Sequence, residues 1–327
     1  MSFFRRNKEQ LGCLPNPPDT RDYQLSSIQP ELVELPEEFD LRSKMSPVGC
    51  QNYGSCTSWG SISVKEYLDN QEYHKIINLS EKFVYHFSKV ESGLWNIQGE
   101  YVRSALQAIC KYGAPLLEDY PDTKEKDWET YVRKEPSAEI CEKAKKYKGK
   151  TYWSVGKTLE DFRQAIFQQK APVVTGMMWY KNYNPGKDGK LPLPGSLESG
   201  GHCISSCGWT KDKLWFRNSW NLNFGALGYF YIPFNEFSKH TIWNASILTD
   251  IEKSEETTGW CAERYLKELS PRFHQGDIVT STVRLNLREK PTTNSDKITL
   301  LKPGQKLEVL EGNIQGGKYK WWRVKVK

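Results

Sequence analysis

A single cysteine, in a Gly-Ser turn just before a helical pattern, constrains the fold of this chain most strongly. Cys56 follows Gly54-Ser55, and apolar side chains recur after it at Val64, Tyr67 and Leu68, the spacing of an amphipathic helix. The thiol is therefore predicted in the first turn of a helix, where unpaired N–H groups and the helix dipole favour a thiolate. Such a cysteine becomes a nucleophile for hydrolysis when a histidine from another part of the fold lies against it.

Among the five histidines of the chain, His202 has the surroundings expected of that partner. It lies in the small, apolar run Gly200–Trp209, which predicts a strand, and the run Leu214–Trp220 predicts the hairpin partner of that strand. This pairing brings Asn218 to the ring nitrogen of His202 that does not face sulfur, where a hydrogen bond fixes the tautomer and the ring angle. Trp220 is expected to cover that bond and keep water off it. The other histidines lie among polar or helical residues: His74, His86, His240 and His274.

The order Gln51, Cys56, His202, Asn218 resembles the papain family of cysteine peptidases. His202 lies 146 residues after Cys56, a separation typical of that family. The resemblance covers about residues 12–250, with one departure: the spacing from Gln51 to Cys56 is one residue shorter than usual. Further stretches that are similar to the family are Phe39-Asp40-Leu41-Arg42, Leu79-Ser80-Glu81, residues 99–113, Asn218-Ser219-Trp220 and Gly228–Ile232.

The resemblance implies a role for each candidate site residue. Cys56 is expected to be the nucleophile and His202 its acid–base partner, with Asn218 orienting the imidazole. Gln51 and the backbone N–H of Cys56 are expected to hold the oxyanion of the intermediate. Gly99 is similar to a family glycine whose backbone pairs with an extended substrate. The other substrate-binding residues that we predict are Gly176, Met177, Gly201 and Trp220.

The resemblance also predicts an α+β fold and the division of the chain into segments. A two-lobed, papain-like domain over 37–250 is expected to join a helical lobe to an antiparallel β-barrel-like lobe. Residues 1–36 form an N-terminal extension, in which a Pro-Asp-x-Arg-Asp pattern is similar to the segment before the catalytic domain in bacterial members. This extension either covers part of the cleft, as a propeptide does, or is simply a packed arm. Residues 251–272 are charged and lean towards helix, which indicates a linker.

The C-terminal residues 273–327 predict a small, all-β module. Short strand patterns alternate there with turns at Lys290-Pro291 and Pro303-Gly304. The motif Leu285-Asn286-Leu287-Arg288, followed by a proline, resembles the bacterial SH3-like module, which implies a small barrel. This segment contains 11 Lys/Arg against 5 Asp/Glu, a net charge of +6. Attraction by these charges, with stacking on aromatic residues, predicts an anionic cell-wall polymer as a partner; the residues are Tyr319, Trp321 and Trp322.

Composition argues against several other classes of protein. No apolar run approaches the roughly 18 residues needed for a membrane span, and no nucleic-acid motif is present. The N-terminus lacks a secretory signal pattern, which predicts a cytoplasmic protein or release by a non-classical route. Cys203 and Cys207 lie near His202 at a zinc-like spacing but without a second pair, so neither a metal nor a cofactor is expected. The eight cysteines are scattered, which favours free thiols over a disulfide framework.

Three functions remain open on the sequence. The first is a cysteine peptidase that cleaves proteins or peptides, with a targeting module at its C-terminus. The second is a cell-wall peptide amidase or endopeptidase, because SH3-like modules often accompany such enzymes. The third is a catalytically silent binding protein that keeps the fold alone.

Overall fold

The computed structural model describes residues 10–19, 22–27, 32–249, 258–262, 266–267, 278–281, 285–295, 297–316 and 319–326. The chain divides into two compact units, Met1–Ile251 and Glu252–Lys327. No helix of the described ranges is long and apolar enough to span a membrane.

The first unit contains the helices, and α1 lies at its centre. Helix α1 contacts both its neighbouring helices and the sheet, so that nearly every side chain from Cys56 to Asn70 is buried. Gly60 permits the close approach to the sheet, because a Cβ there would lie 2.8 Å from the sulfur of Cys203. The helices are α1 (Cys56–Tyr73), α2 (Glu81–Ser92), α3 (Val102–Lys111), α4 (Trp128–Arg133), α5 (Ala138–Ala144) and α6 (Leu159–Gln169).

Local signals explain where several helices begin and end. The Ser80 hydroxyl accepts the N–H of Phe83 at the start of α2, and Gly93 ends that helix with a φ of 73°. Thr158 and Asp161 form a reciprocal capping box at the start of α6. Short 3₁₀ turns cover Leu25–Ser27, Arg42–Lys44, Lys145–Tyr147 and Phe234–Lys239.

An antiparallel sheet forms the second lobe of this unit. Its order is β4-β9-β5-β6-β7-β8, and β2 pairs with β6 at one end. One hydrophobic cluster surrounds Phe216 and Phe230 in the sheet, and another surrounds Phe83 and Leu106 between the helices. The strands are β1 (Cys13–Leu14), β2 (Phe39–Asp40), β3 (Glu100–Tyr101), β4 (Thr151–Ser154), β5 (Val173–Tyr180), β6 (Glu198–Thr210), β7 (Lys213–Arg217), β8 (Tyr229–Pro233) and β9 (Ile242–Thr249). The predicted α+β class, with a helical and an antiparallel lobe, is confirmed.

The second unit is all-β in its described residues. Its strands are β10 (Thr258–Ala262), β11 (Leu266–Lys267), β12 (Ile278–Ser281), β13 (Leu285–Arg288), β14 (Lys297–Leu301), β15 (Lys306–Gly316) and β16 (Tyr319–Val326). They pair in the order β11-β12-β15-β16-β10-β13-β14. A small core forms where these strands meet; its buried residues are Val279, Leu287, Leu301, Leu307, Val309 and Val324.

The structure differs from the prediction of a helix-leaning linker over 251–272. Strand β10 pairs with β16, and β11 pairs with β12, so both belong to the sheet of the second unit. The charged composition of this stretch hides the alternation of a strand, and its pairing partner lies about 60 residues further along the chain. The remaining residues of the predicted linker lie outside the described ranges.

Candidate active site

The predicted nucleophile begins the central helix. Cys56 is the first residue of α1, and its thiol is buried. Burial raises the pKa of this thiol above its ordinary value and the nearby Cys13 raises it further, whereas hydrogen bonds from the backbone of Cys203 and Gly12 lower it. The thiol therefore lies beside the backbone of the residue that follows His202 on β6.

His202 and Asn218 meet through a short, buried hydrogen bond. The two atoms, Nε2 of His202 and Oδ1 of Asn218, are 2.7 Å apart. Oδ1 also accepts the backbone N–H of Ser219 at 2.8 Å, which fixes the orientation of the amide. The imidazole therefore carries its proton on Nε2, and Nδ1 keeps a lone pair. Nδ1 is buried and has no hydrogen-bond partner among the described residues.

Two tryptophans pack against the imidazole of His202 and exclude water from it. The Trp220 ring stacks on that of His202 with centroids 4.4 Å apart and an interplanar angle of 22°. Trp179 packs against His202 edge-on, with ring centroids 5.0 Å apart, a contact that the sequence did not signal. Burial lowers the pKa of His202 to about 4, although the hydrogen bond that its Nε2–H donates to Asn218 acts in the opposite direction. The imidazole is therefore neutral in this structure near pH 7.

Gln51 is hydrogen-bonded to Ser219, the residue that follows Asn218. Its Oε1 accepts the hydroxyl of Ser219 at 2.5 Å, and its backbone N–H donates to the Ser219 carbonyl at 2.9 Å. Its Nε2 donates to the carbonyls of Gln10 and Tyr53, each at 2.7 Å. Despite the shortened spacing to Cys56, the side-chain amide is thus directed at the N-terminal extension.

Residues 10–14 of that extension, hereafter the plug, lie between Gly201 of β6 and Glu100 of β3. These two segments are the walls of what we call the groove. The Gly12 N–H donates to the carbonyl of Gly201 at 3.0 Å, and the Gly12 carbonyl accepts the N–H of Glu100 at 2.6 Å. Strand β1 of the plug pairs in parallel with β3. A Cβ at Gly12 would overlap the carbonyl of Gly54, two residues before Cys56. An extended peptide therefore passes directly over the start of α1.

Three of the predicted substrate-binding glycines contact the plug. A Cβ at Gly99 would lie 2.9 Å from the Gly12 carbonyl oxygen, and one at Gly176 would lie 2.8 Å from the sulfur of Cys13. A Cβ at Gly201 would overlap the Cys13 carbonyl. Bare backbone at these positions makes room for an extended chain.

The other two predicted substrate-binding residues are buried. Met177 lies opposite His202 in the β5–β6 ladder, with its side chain in the sheet core. The ring of Trp220 is 4% exposed and covers the imidazole. Their roles in binding substrate remain predictions.

A buried lysine, which the sequence did not signal, supports one wall of the groove. The Lys89 ammonium donates to the carbonyls of Ile97, at 2.7 Å, and Gly99. It also lies 3.5 Å from the carboxylate of Glu100, and both side chains are fully buried. Because Glu100 donates its N–H to the plug, this ion pair positions the backbone that meets a bound peptide.

The site places a thiol at a helix N-terminus and a His–Asn pair on the neighbouring sheet. Residues 35–248 match the sequence model described as "Papain family cysteine protease", and residues 283–327 match "Bacterial SH3 domain". The chain belongs to the papain family of cysteine proteases. It is a cysteine peptidase with a bacterial SH3 domain, as the resemblance predicted.

Relatives and solved structures agree with this assignment. An uncharacterized peptidase C1-like protein of Acanthamoeba polyphaga mimivirus is 23% identical over 68% of this chain and 81% of its own length. Cysteine proteinase 3 of Entamoeba histolytica is 26% identical over 67% of this chain and 68% of its own. The fold is similar to that of xylellain, a cysteine protease from Xylella fastidiosa, with a TM-score of 0.64 and 23% identity over 76% of this chain and 98% of xylellain.

Proposed function

We propose that this peptidase cleaves peptide bonds with a Cys56 thiolate and a His202 imidazolium, oriented by Asn218. The observation that supports this most directly is the buried 2.7 Å bond between His202 Nε2 and Asn218 Oδ1. That bond fixes the tautomer and leaves the lone pair of Nδ1 available for the proton of a thiol.

The chemistry follows from these positions. The thiol proton passes to Nδ1 of His202, and the thiolate attacks the carbonyl carbon of the substrate. The backbone N–H of Cys56 and the side-chain amide of Gln51 hold the oxyanion; one such donor is worth ~10²–10³ in rate. The imidazolium then gives its proton to the leaving amine, and water hydrolyses the thioester.

We also propose that the N-terminal extension inhibits the enzyme through the plug. The Gln10 carbonyl accepts a hydrogen bond from the side-chain amide of Gln51. The backbone of Gly12 and Cys13 fills the groove. In this closed state, burial lowers the pKa of His202 to about 4 and raises that of Cys56 above its ordinary value, so both groups are neutral. A thiolate–imidazolium pair requires the plug to leave and water to enter.

Labelling of Cys56 by an epoxide of the E-64 type tests both proposals. The full chain, a variant that lacks residues 1–36 and a Cys56→Ala control are treated under reducing conditions and then assayed on casein. We expect fast labelling and hydrolysis by the truncated chain, slow reactions of the full chain and none of the control. No labelling of the folded, truncated chain would favour a silent binding protein, and cleavage of muropeptides without casein would favour the amidase. If the full chain loses the residues before Leu11 on incubation, the plug is a substrate rather than an inhibitor.

For the SH3 unit, we propose binding to an anionic cell-wall polymer by charge. Lys297, Lys302 and Lys306 are exposed. Trp321 is only 2% exposed, so its ring is not available for the stacking that the sequence suggested. Co-sedimentation of the full chain with purified cell walls should weaken as salt rises, and also in the triple lysine-to-glutamine variant. Binding that neither salt nor the triple variant changes would rule out an electrostatic partner.

A further inference from the structure

Three cysteine thiols lie in the region where the plug crosses the groove. Cys13 of the plug, Cys203 on β6 and Cys56 at the start of α1 are all free and buried. The proposed mechanism uses Cys56 and assigns no role to the other two. The thiols of Cys13 and Cys203 are near enough that each shifts the pKa of the other, and the Cys13 sulfur lies against Gly176, the cross-strand neighbour of Cys203.

Backbone packing holds these two thiols together. The Cys13 sulfur lies 2.8 Å from the position that a Cβ on Gly176 would occupy, and Gly176 is the cross-strand partner of Cys203. From the other side, the Cys203 sulfur is equally close to the Cβ position of Gly60 on α1. The two glycines thus leave space for both sulfurs on the same face of the sheet, where a disulfide would join them at about 2 Å.

We propose that Cys13 and Cys203 form a redox latch, a disulfide that ties the plug into the groove and keeps the peptidase latent until it is reduced. This inference rests on the proposed function, in that latency concerns the same active site. The oxidant is a small disulfide such as oxidised glutathione. One cysteine thiolate attacks it to give a mixed disulfide, and the second cysteine then displaces the remaining small thiol. Two S–H bonds are lost, one S–S bond forms, and two electrons pass to the small disulfide, which leaves as two thiols.

The latch changes how the plug can leave. In the reduced chain, backbone hydrogen bonds and packing hold residues 10–14, and these open and close reversibly. With the disulfide in place, Cys13 stays attached to β6 even when the rest of the extension separates. The Cys203 thiol and burial raise the pKa of Cys13, and burial raises that of Cys203. Thiol–disulfide exchange at these two cysteines is therefore slow in the closed state and proceeds during transient opening of the plug.

Mass spectrometry of an inactive full chain tests the cross-link without requiring catalysis. The Cys56→Ala protein is incubated with oxidised glutathione, blocked with an alkylating reagent and digested without reduction. We expect loss of the mass of two hydrogens and a peptide that links Cys13 to Cys203. Cys207→Ser is a matched control on the same strand, because its buried thiol donates to the Trp215 carbonyl instead, and it should retain the link. The link should disappear in Cys203→Ser.

Two further measurements test the consequence of the link. Amide hydrogen exchange of the oxidised Cys56→Ala chain should slow by about tenfold or more over the plug relative to the reduced chain. In the chain with Cys56 intact, oxidation should suppress labelling by the epoxide, and reduction should restore it; Cys13→Ser should label equally under both conditions.

Several outcomes would overturn the latch. These are absence of the linked peptide, a link that leaves exchange over residues 10–14 unchanged, or equal suppression by oxidation in Cys13→Ser, which would point to oxidation of Cys56 itself. Failure of the reduced, truncated chain to react would instead contradict the proposed function, while the cross-link and exchange results would still decide the latch.

Discussion

Gly12 offers the sharpest test of the plug, because it has no room for a side chain. A Cβ there would overlap the carbonyl oxygen of Gly54 and lie 2.7 and 2.8 Å from its carbonyl carbon and Cα. These are backbone atoms of the turn before Cys56, so no side-chain rotation relieves the clash. Overpacking of this kind costs about 1–3 kcal/mol. At 1.4 kcal/mol per factor of ten, Gly12→Val should raise the open fraction of the groove by about 5- to 150-fold.

The measurement is the second-order rate constant for labelling of Cys56 by the epoxide at pH 7 in reducing buffer. If the plug opens faster than the reagent reacts, this rate follows the open fraction. Pro18→Ala is a suitable control, because it changes an exposed position of the same extension. A correctly folded Gly12→Val chain that labels no faster than the wild type would refute the reasoning that residues 10–14 block the nucleophile.

Three further predictions concern the imidazole, its partner and the wall of the groove. Burial keeps His202 neutral in the closed state, with a pKa of about 4, whereas in the proposed open state the imidazole takes its proton from the Cys56 thiol. Opening therefore binds no additional proton, and the open fraction should stay constant within about twofold between pH 7 and 5. Amide exchange at Gly12, corrected for its intrinsic pH dependence, measures this. Asn218→Ala leaves a buried N–H without its acceptor and should lower kcat/KM of the plug-free enzyme by about 5- to 150-fold. Lys89→Met leaves the buried carboxylate of Glu100 without its cation and should lower the free energy of unfolding by about 3–5 kcal/mol in urea titrations.

Matched controls separate these effects from general damage. Asn223→Ala changes an exposed asparagine and should leave kcat/KM unchanged. Lys111→Met removes an ion pair with Glu91 at the surface and should leave the free energy of unfolding nearly unchanged. A steep rise of the open fraction as the pH falls from 7 to 5, full activity in Asn218→Ala, or equal stability of the two lysine variants would each contradict the corresponding argument.

Local patterns were sufficient to predict the geometry around the catalytic groups. Cys56 begins α1 because a Gly-Ser turn precedes an apolar helical period, and the hydrogen bond between His202 and Asn218 follows from one β-hairpin. The capping box of Thr158 and Asp161 likewise involves residues three positions apart. In each case the interacting groups lie in one element or in a pair that a short turn connects, so their spacing in the sequence is close to their arrangement in space.

Contacts between distant segments required the tertiary structure. Nothing in the composition of residues 10–14 indicates that they fill the groove. The position of Lys89 within α2 likewise gives no sign that its ammonium binds the carbonyl of Gly99. The sequence of strand β10 predicts a linker, because its partner β16 lies far along the chain. The physical reason is the same throughout. Periodicity shows which face of an element is apolar, whereas the occupant of a groove, or the partner of a buried charge, depends on two surfaces that only the completed fold brings together.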